Sequence, residues 1–300
     1  MLIGAHVPTF GDYRKVAAYA AQTGCECVQV FSCSPRSWAC PQVTEKTLAQ
    51  LAQARADVAA PLPPMLVHAG YLINLASDDP DQLAKSRDSL AGEIARAWVM
   101  GADALNVHTG SSRDFLREKV PGRIAYTVVE AYEKAAGLVE RWTGGPAPEL
   151  PVVFEDTAGA GTTYGTTMAE LGAILRELDA LGVSAARAGI CIDTCHAWAA
   201  GYDVSCEAGW LEMLGEAERA CGGLERLRWI HANDCKHGRG ERKDRHEWVG
   251  RGCIGAAGFE AMVRLPQLSH VNVAVEMPGE MPEKDAVNVA LLKGWRDGAA

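Results

Sequence analysis

The sequence predicts an α/β protein, and within that class a (β/α)8 TIM barrel. Three observations predict it. Eight short apolar runs recur along the 300 residues. Segments with helical spacing separate them, as alternating strands and helices require. Six of the eight runs end in an imidazole or a carboxylate, and in a parallel barrel all such ends open onto one face.

The candidate strands, in order, are "LIGAHV" (2–7), "CVQVFS" (27–32), "MLVHAG" (65–70), "ALNVHTG" (104–110), "VVFEDT" (152–157), "GICIDT" (189–194), "RWIHAND" (228–234) and "VNVAVEMP" (271–278). Helical spacing covers 44–60, 80–102, 113–142, 167–181, 207–221, 255–264 and 283–296. Thr44 and Asp79 stand where helix N-caps belong. An open doubly wound sheet is the alternative. It usually carries fewer strands, and no Gly-rich dinucleotide fingerprint follows the first run. "TGGPAPELP" (143–151) reads as an exposed connection, too short for a domain linker, so residues 1–300 are expected to form one domain.

Bulk composition narrows the function classes. Apolar residues make up 48% of the chain, enough for a large core. No apolar stretch is long enough to span a bilayer. The start, "MLIGAHVPTFGDYRK", lacks the pattern of a signal peptide. The ten cysteines form no zinc-ribbon spacing and read as free thiols of a reducing, cytoplasmic protein. Net charge is −9, which argues against nucleic-acid binding by a global positive field. "KHGRGERKDRH" (236–246) is nevertheless a dense basic loop that can meet phosphate locally.

His68, His108, Glu155, Asp193, His231 and Glu276 are the six strand-end groups. A single Asp after a strand is more often a cap, and a single His a satisfied rim residue. Six on one face share a cause. Clustered carboxylates repel, and metal cations remove that cost. Asp193-x-x-His196 adds a ligand across a strand-to-loop turn. Asp244-x-His246 adds two on one side of an extended segment. Nine groups without cysteine suit two or three Zn²⁺, Mn²⁺ or Fe²⁺ ions. Cys191 is expected to point away into core packing, and Cys195 to be structural.

"HAGYLINLA" (68–76), "GICIDTCH" (189–196) and "IHANDCKHGRGERKDRH" (230–246) resemble the three signature segments of the endonuclease IV family of apurinic/apyrimidinic endonucleases. "GAHV", "LNVHTG" and "FEDTAGAGTTYG" are also similar, so the resemblance covers nearly the whole chain. It implies zinc-dependent hydrolysis of duplex DNA 5′ to an abasic site, leaving a 3′-hydroxyl, without a protein nucleophile. It implies three zinc ions: one on His68, His108 and Glu155; one on Glu155, Asp193, His231 and Glu276; one on His196, Asp244 and His246. Glu155 would bridge and be the catalytic centre. Arg36, Tyr71 and Leu72 match the residues that enter the DNA at the lesion. The expected state is a monomer acting on damaged duplex DNA.

The segments depart from the family pattern at Gly70 (commonly Pro), Asp156 (usually Asn), Cys235, Glu241, Trp248 and Arg251, none of which removes a ligand. A xylose-isomerase-like sugar isomerase or epimerase shares the barrel and the metal-lined mouth. It lacks a use for Asp244, His246 and the basic loop. A non-catalytic binder of damaged DNA with structural zinc would be expected to use a closed, Cys-rich site.

Overall fold

The computed structural model describes residues 1–8, 12–40, 42–58, 62–113, 116–146 and 149–298. All eight expected strands form and close into one parallel barrel. They are β1 (Ile3–His6), β2 (Val28–Phe31), β3 (Met65–His68), β4 (Ala104–His108), β5 (Val152–Glu155), β6 (Ala188–Asp193), β7 (Leu227–His231) and, after a short antiparallel ladder of β8 (Asp234–Cys235) with β9 (His246–Glu247), β10 (Asn272–Val275). The order around the barrel is β1-β10-β7-β6-β5-β4-β3-β2.

Period-two alternation sorts each strand's side chains into two cores. Ile3, Val28, Val67, Leu105, Phe154, Ile192, Ile230 and Val275 belong to the outer core between strands and helices. Each such side chain contributes about 1.5–3 kcal/mol by leaving water. Cys27, Leu66, Ala104, Val153, Cys191, Trp229 and Ala274 form a separate cluster inside the barrel. Gly4 completes that layer, because a Cβ there would fall 1.6 Å from the Cys27 carbonyl oxygen.

The seven expected helices are present as α2 (Glu45–Ala56), α3 (Pro80–Val99), α4 (Val120–Thr143), α5 (Met168–Ala180), α7 (Glu207–Cys221), α8 (Ala256–Arg264) and α9 (Glu283–Arg296). Thr44 accepts from the Thr47 amide, and Asp79 from those of Asp81 and Gln82, so both caps form as expected. Residues 59–60 of the first helical segment, 114–115 of the third and 147–148 of the 143–151 connection lie outside the described residues.

Two helices were not expected. α1 (Tyr13–Thr23) is capped by Asp12 and ends on left-handed Gly24; alanines dilute its apolar stripe. α6 (Thr194–Ala200) begins directly at the end of β6. No described helix is long and apolar enough to cross a membrane.

Candidate metal centre

The inward layer of the barrel changes character two residues beyond its apolar floor. Leu66 is followed on the same face by His68, Val153 by Glu155, Cys191 by Asp193, Trp229 by His231 and Ala274 by Glu276. Ala104 is followed by Asn106 and then His108, Cys27 by Gln29, and Gly4 by His6. Every strand therefore delivers a polar group to the mouth, two more strands than the sequence reading used. This layering corrects the expectation for Cys191. It shares the face of Asp193, because residues two apart in a strand point the same way, and sits in the floor beneath it.

Glu155 is the hub. Its Oε2 lies 3.3 Å from His68 Nε2 and 3.1 Å from His108 Nε2, and its Oε1 lies 3.0 Å from His231 Nδ1. His231 Nδ1 is also 3.6 Å from Glu276 Oε2 and 4.0 Å from Asp193 Oδ2. Ligand atoms of His68, His108 and Glu155 lie within 4.8 Å of one another, and so do those of Glu155, Asp193, His231 and Glu276.

Asp193 does two jobs. Its Oδ1 caps α6, accepting from the amides of Cys195 (2.7 Å) and His196 (3.0 Å). Its Oδ2 faces the mouth, 3.5 Å from His246 Nε2. The turn expected between Asp193 and His196 is thus the first turn of a helix, because the aspartate supplies the cap. α6 then carries the loop that completes the site. Trp198 Nε1 donates to the His237 carbonyl, and the Gly240 and Arg242 amides donate to the carbonyls of Trp198 and Ala199. This docking sets Asp244 Oδ2 3.3 Å from His196 Nε2 and Asp244 Oδ1 3.2 Å from His246 Nε2.

The histidine tautomers test whether cations fit. His68, His196 and His246 each turn Nδ1 toward a backbone carbonyl, of Ala69 (2.7 Å), Asp156 (3.0 Å) and Glu276 (3.1 Å). A carbonyl only accepts, so Nδ1 carries the hydrogen. His231 reverses the arrangement, with Nε2 donating to Gln29 Oε1 (2.7 Å). The remaining nitrogens hold lone pairs that face carboxylate oxygens. Acceptor facing acceptor is repulsive unless a cation lies between. His246 Nε2 is buried without a hydrogen-bond partner. Fixing the outer nitrogen in this way is what metal-ligating histidines require.

The charges point the same way. Burial opposes ionisation of Glu155, yet His231 and His108 outweigh it and hold its pKa well below the carboxylate range. Glu276 is lowered to about 2, with burial overcome chiefly by His231. Burial would lower His231, but Cys191, Glu276 and Glu155 raise it well above its ordinary value. His246 rises to about 9, as Asp193, Asp244 and Glu276 outweigh burial. The same carboxylates that raise these imidazoles would favour any cation placed among them.

Several supporting residues escaped the sequence reading. Asn233 Nδ2 donates to Asp193 Oδ2 (2.6 Å), Asn106 Nδ2 donates to Glu155 Oε2 (2.5 Å), and Gln29 Nε2 donates to Glu276 Oε1 (2.6 Å). Buried Asp234 accepts from the amides of Cys235, Gly252, Ile254 and Gly255, folding the 248–255 turn beneath the loop. For Gln29 and Asn106 a polar residue at an inward position of an apolar strand was the available signal.

Tyr71 is 52% exposed, and its ring packs against Phe31, His68 and His108. Its amide donates to the Pro35 carbonyl (2.8 Å), tying its loop to the one bearing exposed Arg36. Leu72 is half-buried, its carbonyl accepting from Gln82 Nε2. A cleft of about 480 Å³ opens between this corner and His246, lined also by His6, Glu276, Met277 and Met281. Within the basic loop, Arg239 pairs with Asp203 and Lys243 with Glu241, so part of its charge is already neutralised.

The departures have local reasons. The Gly70 amide donates to buried Glu93 (3.2 Å), a bond that Pro cannot make. Asp156 Oδ1 accepts from the Asp193 amide (2.7 Å) as an Asn would, and burial pushes its pKa well above its ordinary value. Trp248 donates to the Pro278 carbonyl, and Arg251 stacks on its ring at 4.6 Å. The expectation of ten free thiols fails at Cys33 and Cys40. The loop carrying Arg36 folds back so that their Cα atoms are 5.7 Å apart, within disulfide range, and the sulfurs are bonded.

Residues 17–297 match the family model of xylose isomerase-like TIM barrels. A probable endonuclease 4 from Solibacter usitatus is 37% identical over 293 residues, covering 98% of this chain and 96% of that protein. One from Cenarchaeum symbiosum is 34% identical, covering 96% and 97%. The chain belongs to the endonuclease IV family of DNA repair enzymes. The crystal structure of endonuclease IV from Thermus thermophilus matches with a TM-score of 0.79 at 28% identity, covering all of both chains. A D-tagatose 3-epimerase-like protein matches with a TM-score of 0.68 at 16% identity, which is a likeness of barrel alone. The rival sugar-isomerase reading thus keeps the fold, while relatedness over the full chain lies with endonuclease IV.

Proposed function

We propose that this endonuclease IV family member hydrolyses the phosphodiester 5′ to an abasic site in duplex DNA, leaving a 3′-hydroxyl and a 5′-deoxyribose phosphate, and also clears blocked 3′ ends. One observation carries the metal chemistry: ligand-side histidine nitrogens face carboxylates while the outer nitrogens of His68, His196, His231 and His246 are committed to carbonyl acceptors. His68, His108 and Glu155 would hold one divalent ion, Glu155, Asp193, His231 and Glu276 a second, and His196, Asp244 and His246 a third. Zinc suits this donor set, with Mn²⁺ or Fe²⁺ able to replace it at one position.

Bound cations there supply Lewis acidity and lower the pKa of water toward neutrality. The chain's own residues do the rest. Glu155 fixes three imidazoles around one carboxylate. Asn233 and Gln29 orient Asp193 and Glu276. Arg36, Tyr71 and Leu72 would enter the DNA at the lesion, and the cleft beside Tyr71 would take the extruded sugar, which is cheap to extrude because no base is paired. This reading places the protein in the cytoplasm as a monomer. The test is incubation of the never-chelated protein with a duplex carrying one abasic site, with and without chelator. Chelator-sensitive incision 5′ to the site and about three ions per chain are expected. One ion or none, or sugar epimerisation without incision, overturns the reading.

A further inference from the structure

His6 is an imidazole at the mouth that the metal groups do not use. It ends β1 on the inward face, packs on Phe31 with ring centroids 4.5 Å apart, and lines the 480 Å³ cleft with Pro8, Tyr71, Met277 and Met281. Its protonation is dictated from the metal cluster outward. His231 Nε2 donates to Gln29 Oε1, which fixes which end of the Gln29 amide is the NH₂. That NH₂ has two hydrogens. One goes to Glu276 Oε1 at 2.6 Å and the other to His6 Nδ1 at 2.9 Å. An amide NH₂ only donates, so His6 Nδ1 must accept. The ring's hydrogen is therefore on Nε2, which has no partner among the described residues.

We propose that His6 is a fixed hydrogen-bond donor, through Nε2–H, to an acceptor oxygen of the nucleotide extruded into this cleft. The inference rests on the proposed function. Pro8, Phe31, Met277 and Met281 give the cleft an apolar wall that suits a sugar face without a base, while Glu276 and Lys284 make part of its lining polar. Lys284, paired with Asp285, also lines the cleft, and His6 adds a neutral donor that recognises either a sugar oxygen or a phosphate oxygen of that nucleotide. His231, Gln29 and His6 form one chain, so the donor is held ready by the same cluster that would bind the cations.

The experiment compares metal-loaded wild type, His6→Phe and His6→Gln on a duplex with a natural abasic site. A tetrahydrofuran analogue, which lacks the C1′ hydroxyl, is run in parallel. Single-turnover rate, DNA affinity, metal content and melting temperature are read. Phe keeps the ring packing and removes the donor; Gln restores an N–H at similar reach. His6→Phe should lose about 3- to 10-fold in incision efficiency if the acceptor is a neutral sugar oxygen, and about 10- to 100-fold if it is a charged phosphate oxygen. A loss confined to the natural site assigns the C1′ hydroxyl. Metal content should not change, and His6→Gln should recover to within about 3-fold of wild type. Equal incision by wild type and His6→Phe overturns the proposal, as does equal loss in Phe and Gln variants together with loss of metal. Should His6→Phe not fold, His6→Ala is read against His6→Gln by the same criteria. Failure of the wild type itself to incise overturns the proposed function instead, and is seen before any variant is compared.

Discussion

The two halves of the mouth are built differently. His68, His108, Glu155, Asp193, His231 and Glu276 stand on or directly after barrel strands, and the Glu155 side chain is 1% exposed. Asp244 and His246 come from the long excursion after β7, and the Asp244 side chain is 48% exposed. The strand-borne half needs only the barrel register to exist. The loop-borne half depends on α6 gripping residues 237–242, with Arg242 in the left-handed region (φ 55°) just before Asp244. Such a conformation costs a non-glycine residue about 1–2 kcal/mol, which the grip offsets.

Glu155→Ala should have the largest effect because it removes the hub of the strand-borne half. The barrel should stay folded, about two of three ions should be lost with a lowered melting temperature, and incision should fall to background. Near-normal incision would show that Glu155 joins nothing essential. Asp244→Ala cuts only the loop-borne half. It should release one ion and slow incision by about 10²- to 10³-fold, on the scale of losing one stabiliser of transition-state charge. If Asp244→Ala emptied all three positions, the halves would not be separable, and elemental analysis reads this directly.

Arg36→Ala with Tyr71→Ala leaves both halves intact and should weaken binding to abasic duplex roughly five- to a hundredfold. Metal content and melting temperature should match wild type. Unchanged affinity in a binding titration would remove these residues from the DNA interface.

The smallest effect is one of pH on the metal-free protein. The pKa of His246 is raised from 6.5 to about 9 in the folded chain. A raised pKa stabilises fully below the unfolded value and is lost as pH rises through the folded one. The chelated protein should therefore melt at progressively lower temperature from about pH 6.5 to about pH 9. The metal-loaded protein should change less, since a cation replaces the proton. Equal slopes would show that His246 faces no bound cation.

The strand-borne half was legible because its signal is local. An apolar run ending in His, Asp or Glu states both the strand and the position of its last side chain, and eight runs in a row state the barrel. The six strand-end candidates were read from the chain alone for that reason, while His196, Asp244 and His246 came from their spacing and Thr44 and Asp79 from their places before helical segments. What was not legible depends on which residues meet across the fold. Gln29 orients Glu276 across 247 positions of chain, and Asp193 serves as cap and mouth carboxylate together because α6 starts where β6 ends. The Cys33–Cys40 bond required the Arg36 loop to fold back on itself, and the free donor of His6 follows from a hydrogen-bond chain through three strands. Residue type alone determines what a side chain can donate or accept. Only the packed barrel decides which partner satisfies it, because a buried polar group must take its partner from whatever the other strands bring within about 3 Å.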